Sequence, residues 1–430
     1  MSKILIIGTV PYSKNNQSRA FDTYFKSINS RNLAQIFSDP RKPEFGNCDK
    51  LYQITDVTVL KNSFRVNKKP GIKYDFKKCT EEQKKVNKLI KKRSIIALLY
   101  KLGKHKNSMN HLLRGLIWKT NNWLTKDLEE WVDDFNPDLI FIAFSDDFFI
   151  LRIGLYFAKK YDIPIISAIG DDYYFNDKFS VNPFYHIYRK KYKKLVNQIM
   201  KYKSENIYIS DKIRHKYDSF FKKNGETIQV SSDIERLPFV PVAKDIIKFF
   251  YAGNLRLGRY KSIIEISRVL ETISNKYTID IFSSEESKII ISRLTRQKNI
   301  NFQGYRKYED LNQKMLESDF SIIAEGKSKK DIITTRYSLS TKVADSIALG
   351  KPILVYGNDE SGAIGFFTEH ECALVSDNPT TLKNQLIEFI GSHQQQIDLY
   401  QKYKHISSTV FDKANNNQKF VNLVKKILEQ

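Results

Sequence analysis

The sequence predicts an α/β protein built from two Rossmann-like domains. Short apolar runs alternate with helix-length amphipathic stretches, glycine-containing or polar loops follow several of those runs, and 430 residues exceed the ~250–300 at which single cores usually stop growing. Ile4–Ile7 reads as a buried first strand that runs into the turn-rich loop Gly8-Thr-Val-Pro-Tyr-Ser-Lys, ahead of a helical pattern from near Arg19. A ligand loop is expected at the carboxyl end of such a strand, which makes Gly8 a candidate contact. The pattern then repeats: a strand within 136–143, a helix over 150–161, and a strand over 163–169 that leads into Gly170-Asp171-Asp172. Further strands are predicted at 207–209, 246–251, 277–282, 320–324 and 352–356.

The linker is placed at Leu237-Pro-Phe-Val-Pro-Val242, where two prolines disfavour helix and central strand and a new strand–glycine–helix unit follows. The domains expected are therefore 1–238 and 239–430, with the last helix packing back on the first. Residues 57–130 fit the alternation poorly and read as a basic, mostly helical insertion with Trp118, Trp123 and Trp131 near its end. Ile95, Ile96, Leu98, Leu99 and Leu102 are expected on one helical face within it.

Three cysteines, Cys48, Cys79 and Cys372, lie far apart and form no disulfide framework or metal pair, which suits a reducing compartment. The apolar run at the amino terminus is too short for a signal peptide, and no stretch approaches the ~20 apolar residues of a membrane span. A cytoplasmic protein, soluble or peripheral at the inner face of the membrane, is expected. The net charge of +23 favours a partner that carries phosphates. Residues 61–106 hold sixteen Lys or Arg against three acids, and the run from Tyr188 to Lys203 is almost as basic. Those runs are either solvated faces or a surface for anionic lipid headgroups.

Residues suited to phosphate chemistry concentrate in the second half. Gly253-Asn254-Leu-Arg256-Leu-Gly-Arg259-Tyr-Lys261 puts glycines and cations between a strand and a helix expected from about Ser262. Glycine lets a backbone approach closely, the free amides of a helix start attract anions, and a guanidinium can fork two phosphate oxygens. A second constellation, Ser338-Leu-Ser340-Thr341-Lys342-Val-Ala-Asp345, reads as a loop and helix start capped by Ser340 or Thr341. Gly350 then ends that helix and Pro352 opens the next strand. In the first half, the adjacent carboxylates Asp171 and Asp172 are open to three readings: a metal site, hydrogen bonding to ligand hydroxyls, and an acidic loop that only caps a helix. Asp146-Asp147 is a weaker candidate of the same kind, and His186 reads as packing. No histidine pairs with Cys or His at metal-ligand spacing.

The spacing Ser-x-x-x-Lys-x-x-Asp-x-x-x-x-Gly-x-Pro from Ser338 to Pro352, preceded by Tyr251-Ala-Gly-Asn-Leu, resembles the carboxyl-terminal domain of retaining GT-B glycosyltransferases of bacterial surface-polysaccharide assembly, the family 4-like group. Asn136-Pro-Asp-Leu-Ile, Asp171-Asp-Tyr-Tyr-Phe and Ile207-Tyr-Ile-Ser extend the similarity into the first domain, leaving residues of about 40–130 outside it. The resemblance implies two Rossmann-like domains facing across a cleft, an acceptor on the first and a nucleotide-diphosphate sugar on the second, and no metal or other cofactor. It places Asp345 where the family's second glutamate binds the donor ribose, and Tyr337 where the family has its first glutamate. Arg259 falls at the family's phosphate-binding lysine and Asn254 where many members have arginine.

In the roles this implies, Arg259 and Lys342 stabilise the leaving diphosphate, with Arg256 in reserve, while Asp171 and Asp172 face them. Gly8, Gly253, Asn254, Ser338, Ser340 and Thr341 complete the donor site. Transfer to a saccharide acceptor, a lipid-linked one, with retention of configuration, is the reaction the resemblance implies. A protein acceptor, a weakened partner subunit signalled by Tyr337, and a nucleic-acid-binding protein are the alternatives; the last lacks any zinc, aromatic-glycine or base-reading motif.

Overall fold

The computed structural model describes residues 2–11, 19–40, 43, 47–74, 107–177, 179–242 and 245–429. Cys79, the lysines and arginine at 77–93, and the apolar positions at 95–102 lie outside the described residues. The chain divides into two compact units, Met1–Ile228 with Asn417–Gln430, and Gln229–Asn416.

The first unit holds an eight-stranded sheet in the order β4-β3-β2-β1-β5-β6-β7-β8. Its strands are β1 (Ile4–Ile7), β2 (Leu33–Phe37), β3 (Lys50–Gln53), β4 (Ile72–Tyr74), β5 (Leu139–Ala143), β6 (Ile165–Ile169), β7 (Ser204–Tyr208) and β8 (Glu226–Thr227). All neighbours are parallel except β3 and β4. The order reverses between β1 and β5, where a doubly wound sheet opens a crevice at its carboxyl ends. All four residues of β1 are buried, as befits a central parallel strand covered on both faces. β2 and β3 escaped the sequence reading because Gln35 and Gln53 interrupt their apolar runs. Each glutamine is buried and used: Gln35 Nε2 donates to Thr9 Oγ1 at 2.6 Å, and Gln53 Nε2 donates to the Asp39 carbonyl at 2.7 Å. They tie down the loops that leave β1 and β2.

The second unit holds six parallel strands in the order β11-β10-β9-β12-β13-β14, reversing between β9 and β12. They are β9 (Lys248–Ala252), β10 (Thr278–Phe282), β11 (Ile300–Gly304), β12 (Phe320–Ala324), β13 (Ile353–Tyr356) and β14 (Leu374–Ser376). The division between units falls after Ile228, earlier than the proline segment. That segment is held by the second unit: the Leu237 N–H donates to Leu349 O at 3.1 Å, Tyr400 Oη donates to Leu237 O at 2.8 Å, and the Val242 N–H donates to Gln396 Oε1 at 2.7 Å. The prolines therefore mark an anchored strap.

The last helix, Lys413–Leu428, passes from the second unit into the first. Its Phe420, Leu423, Val424 and Ile427 join the core cluster of Ile4, Phe25 and Phe141. Phe420 meets the Phe25 ring edge-on at 5.2 Å. Within 57–130 the described helices are Asp56–Ser63, Ser108–Ile117, Thr120–Trp123 and Lys126–Phe135. No described helix is long and apolar enough to cross a membrane.

Candidate functional site

At the carboxyl end of β9 the chain turns through Gly253 into the helix Arg259–Ile273, which begins three residues earlier than its apolar pattern indicates. Its first amides are not open to an anion. The Arg259 N–H donates to Arg256 O at 3.4 Å, and the Tyr260 N–H to Leu255 O at 3.1 Å. The anion-binding capacity expected of this helix start thus rests on side chains.

Glu325, the first residue after β12, is buried and faces Arg259 across the switch point. Arg259 forks it, Nε donating to Oε2 and Nη2 to Oε1, both at 2.9 Å. Burial works against the Arg259 charge, but the facing carboxylate outweighs it and lifts the guanidinium above its ordinary range. Burial likewise pushes the Glu325 carboxyl up, against the pull of Arg259. Sequence reasoning missed Glu325, although an acid in a glycine-containing loop just after an apolar strand is the signal that singled out Asp171.

Lys342 stands in the first turn of the helix Thr341–Leu349, where Ser340 is the cap and its hydroxyl accepts from the Lys342 N–H at 3.4 Å. The residue as a whole is exposed, and its ammonium points back over Gly253: a Cβ added there would lie 2.2 Å from Nζ. The missing side chain at Gly253 is what leaves the ammonium room there. The ammonium makes no hydrogen bond or ion pair within the described residues. Desolvation, reinforced by the Arg259 charge and opposed by Glu325 and Asp345, pulls its pKa down to about 8. Asp345 is buried on the same helix and accepts from Ser232 Oγ at 2.6 Å. Lys342, Gly253, Arg259 and Glu325 form one cluster, with Asp345 on the adjoining turn.

The other second-unit candidates are placed as follows. Asn254 shapes the turn, its carbonyl accepting from Tyr251 Oη at 2.7 Å and its Oδ1 from the Arg256 N–H at 2.8 Å. Arg256 is exposed and pairs with Glu285, Nε to Oε2 at 3.1 Å. Thr341 opens the helix. Ser338 is closed off at its backbone by Gly362, where a Cβ would meet the Ser338 carbonyl at 2.5 Å. Tyr337 lies under the Arg336 guanidinium, 4.9 Å from the ring centroid.

In the first unit, Gly8 leaves β1 with φ 90°, and a Cβ there would sit 2.7 Å from Ala143 O. It borders a cavity of about 300 Å³ at the carboxyl ends of the first strands, lined also by Thr9, Ser38, Asp39, Thr55 and Arg114. After β6, Asp171 is exposed and accepts from Tyr173 Oη at 3.2 Å. Asp172 is buried, its Oδ1 accepting from Tyr217 Oη at 3.0 Å and the Phe175 N–H at 2.8 Å. Those bonds hold the start of the following loop. His186, in the first turn of the helix Pro183–Lys201, has Nε2 2.7 Å from Ser180 O in the loop before it.

The Asp146-Asp147 pair ends in a network that the sequence did not disclose. Arg114 forks Asp56 at 2.9 and 3.0 Å and also binds Asp147, while Trp118 Nε1 donates to Asp56 at 2.6 Å. His111 Nδ1 lies 3.4 Å from Asp147 and Nε2 lies 3.8 Å from Asp146. Burial pushes the Asp147 carboxyl up, but His111 and Arg114 outweigh it and hold it below the usual range. Among the described residues no group of three or more His, Cys, Asp or Glu is arranged to hold a metal ion.

No protein-family model matches the chain, and no curated protein matches it in sequence. Solved structures do share its fold. HepE of Anabaena, crystallised with UDP, has a TM-score of 0.60 at 14% identity, covering 99% of this chain and 100% of its own. Sucrose-phosphate synthase of Thermosynechococcus elongatus gives 0.61 at 11%, covering 100% of both. WaaG, a glycosyltransferase involved in lipopolysaccharide biosynthesis, gives 0.53 at 9%, covering 98% and 99%. Over essentially its whole length, the chain has the two-domain α/β architecture of these GT-B structures.

Proposed function

We propose that the chain is a glycosyltransferase that takes a sugar from a nucleotide-diphosphate donor, bound by the second unit, to a saccharide acceptor. The observation that carries this reading is the Lys342 ammonium, without a hydrogen bond or ion pair among the described residues, turned over Gly253 beside Arg259 at the β9/β12 switch point. A switch point is where open α/β sheets take their ligands. The fold it shares with a protein crystallised with UDP and with UDP-glucose supports a uridine nucleotide as the first donor to try.

As the glycosidic bond breaks, negative charge grows on the diphosphate and the sugar becomes oxocarbenium-like. A cation held against the leaving oxygens lowers that barrier without rearranging during the reaction. Lys342 takes this role, with Arg259 oriented by Glu325 beside it. Asp345 is assigned to the ribose, and Gly253, Asn254, Ser338, Ser340 and Thr341 to the donor's surroundings. Asp171 and Gly8 are assigned to sugar hydroxyls on the first unit. Neutralisation of the diphosphate by side chains makes the proposed reaction metal-independent, and the family resemblance assigns it retention of configuration.

The acceptor proposed is a lipid-linked saccharide of surface-polysaccharide or glycoconjugate assembly. The basic residues at 61–106 would then hold the protein at the cytoplasmic membrane face. A thermal-shift screen against UDP-, GDP-, CDP- and dTDP-sugars tests the donor reading, since a ligand of the folded state stabilises it by mass action. Stabilisation by one nucleotide class, weakened in Lys342→Ala by about 1.5–3 kcal/mol of binding, is expected for a hydrogen bond to a charged group. No shift with any of the four would sink it.

A further inference from the structure

We propose that one face of the first unit, made by the helices Ser108–Ile117 and Pro183–Lys201 and the loop that precedes the second, docks on an anionic lipid bilayer. The helices pack side by side, with the His111 ring stacked on Tyr188 at 4.9 Å. Each turns an apolar stripe outward. Met109, Leu113 and Leu116 fall on one face of the first helix and are each nearly half exposed, at 47–49%, while Leu112 and Gly115 point inward. On the second helix Tyr188, Tyr192, Val196 and Ile199 fill the inner face, and Phe184 and Ile187 stand outward. In the loop before it Phe179 is 99% and Val181 is 89% exposed.

An isolated exposed apolar side chain is ordinary, but seven on two packed helices and one short loop make a patch that marks an interaction surface. The charge on the same surface selects the partner. At 100° per residue, Lys190, Lys191 and Lys194 continue the outward face that Phe184 and Ile187 begin, and all three are exposed. Neither helix contains an Asp or Glu. Asp177, the carboxylate of the loop nearest Phe179, is engaged by Arg189 at 2.8 Å and by Lys193. Apolar side chains bordered by lysines without counter-charges are the composition of helices that lie in a membrane interface. A protein partner fits less well, because the cores of protein interfaces are depleted in lysine.

The surface also adjoins the acceptor side of the proposed reaction. The loop that carries Phe179 and Val181 begins at Asp171-Asp172, at the carboxyl end of β6. A saccharide on a lipid anchor would reach Asp171 from the bilayer on which this face rests. That last step relies on the glycosyltransferase reading; the membrane contact itself does not.

The test is sedimentation of the full chain with vesicles of phosphatidylcholine alone or mixed with phosphatidylglycerol. Thermal shift by UDP-glucose is measured on the same samples. The wild type is expected to pellet with the mixed vesicles and to be released by salt. Each lysine near such a surface contributes about 1 kcal/mol, so Lys190→Gln/Lys191→Gln/Lys194→Gln should weaken vesicle affinity roughly a hundredfold. Phe179→Ser/Val181→Ser should abolish whatever binding persists at high salt. Both variants change exposed side chains and should keep the UDP-glucose shift of the wild type. Vesicle binding without any nucleotide-sugar shift would uphold the docking face and remove the donor reading. The proposal is overturned if the wild type ignores mixed vesicles, or if both variants bind like the wild type while glutamine at Lys84, Lys85, Lys91, Lys92 and Arg93 abolishes binding. It is equally overturned if the patch proves to join two copies of the chain, seen as a dimer that Leu113→Glu dissociates.

Discussion

Replacing Glu325 by glutamine removes one charge from the centre of the proposed donor site and leaves its shape. Two effects are expected, and they separate. Glu325 is 6% exposed and holds Arg259 through two bonds of 2.9 Å, so the variant strands a largely buried guanidinium. Removing one partner of a buried pair costs about 3–5 kcal/mol, and the amide oxygen, which still accepts one bond, puts the expected loss near the low end. A urea melt measures it. The second effect concerns Lys342, whose pKa of about 8 is held up by Glu325 against desolvation and Arg259. A carboxylate at short range supports a neighbouring cation by about one unit or more, so the variant's lysine should titrate near or below ~7.

Only the protonated ammonium attracts the diphosphate. Affinity is therefore full below the Lys342 pKa and falls as pH rises through it. For the wild type this means a loss of about tenfold in UDP-glucose affinity between pH 7 and pH 9. In Glu325→Gln the same decline should begin about one pH unit lower. UDP-glucose is the ligand of choice because its phosphates do not titrate in this range. Calorimetry across that range decides it. A flat wild-type profile, or a variant whose decline stays near pH 8, would remove Lys342 from the phosphates.

Gly253→Ala should fold normally, because the clash at 2.2 Å is with the mobile end of Lys342, yet it should weaken UDP-glucose binding about as much as Lys342→Ala does in a parallel titration. Turnover is expected to survive EDTA; its loss, with recovery on adding Mg²⁺ or Mn²⁺, would assign Asp171 a metal and refute neutralisation by side chains alone. Asp172→Asn should lower stability by about 1–3 kcal/mol by weakening the bonds from Tyr217 and Phe175, without altering nucleotide affinity. A selective loss of transfer in a fully folded Asp172→Asn protein would return that residue to the reacting groups.

The alternation of buried runs and helices was legible because central parallel strands are apolar on both faces: β1, β5, β6, β9, β10, β12 and β13 all read directly from residue type. β2 and β3 did not, since the glutamines that break their pattern serve loops elsewhere in the fold. Lys342 and Gly253 were legible as types in a spacing, but their contact spans about ninety residues of chain and only the fold brings it about. Arg256 and Arg259 are equivalent as residues near a phosphate loop. Glu285 and Glu325, on other strands' loops, decide which one stays at the switch point. The Arg114, Asp56 and His111 network was invisible for the same reason: His111 and Arg114 share one helix, but the carboxylates they meet, Asp56 and Asp147, lie far away in sequence.

Charge balance at the switch point leads to the last prediction. A diphosphate ester brings two negative charges, and the first amides of the helix Arg259–Ile273 are already bonded to the preceding turn. Arg256 is paired with Glu285 at the surface, and Asp345 is engaged by Ser232. Lys342 supplies one positive charge, so the second must come through Arg259, although Glu325 already holds it. The guanidinium geometry permits both. The fork to Glu325 uses Nε and Nη2, and neither Nη1 donor has a partner among the described residues. Arg259 can therefore keep Glu325 and present Nη1 to a phosphate oxygen. A lysine cannot, because its donors radiate from one atom and give no second, fixed direction. Arg259→Lys, which preserves the charge, should accordingly weaken UDP-glucose binding by about 1.5–3 kcal/mol, nearly as much as Arg259→Gln, while stability falls less than in the glutamine variant. Calorimetry and urea melts on the two variants give both quantities. If Arg259→Lys binds like the wild type, the forked guanidinium is a structural brace, and the second charge of the diphosphate is met elsewhere.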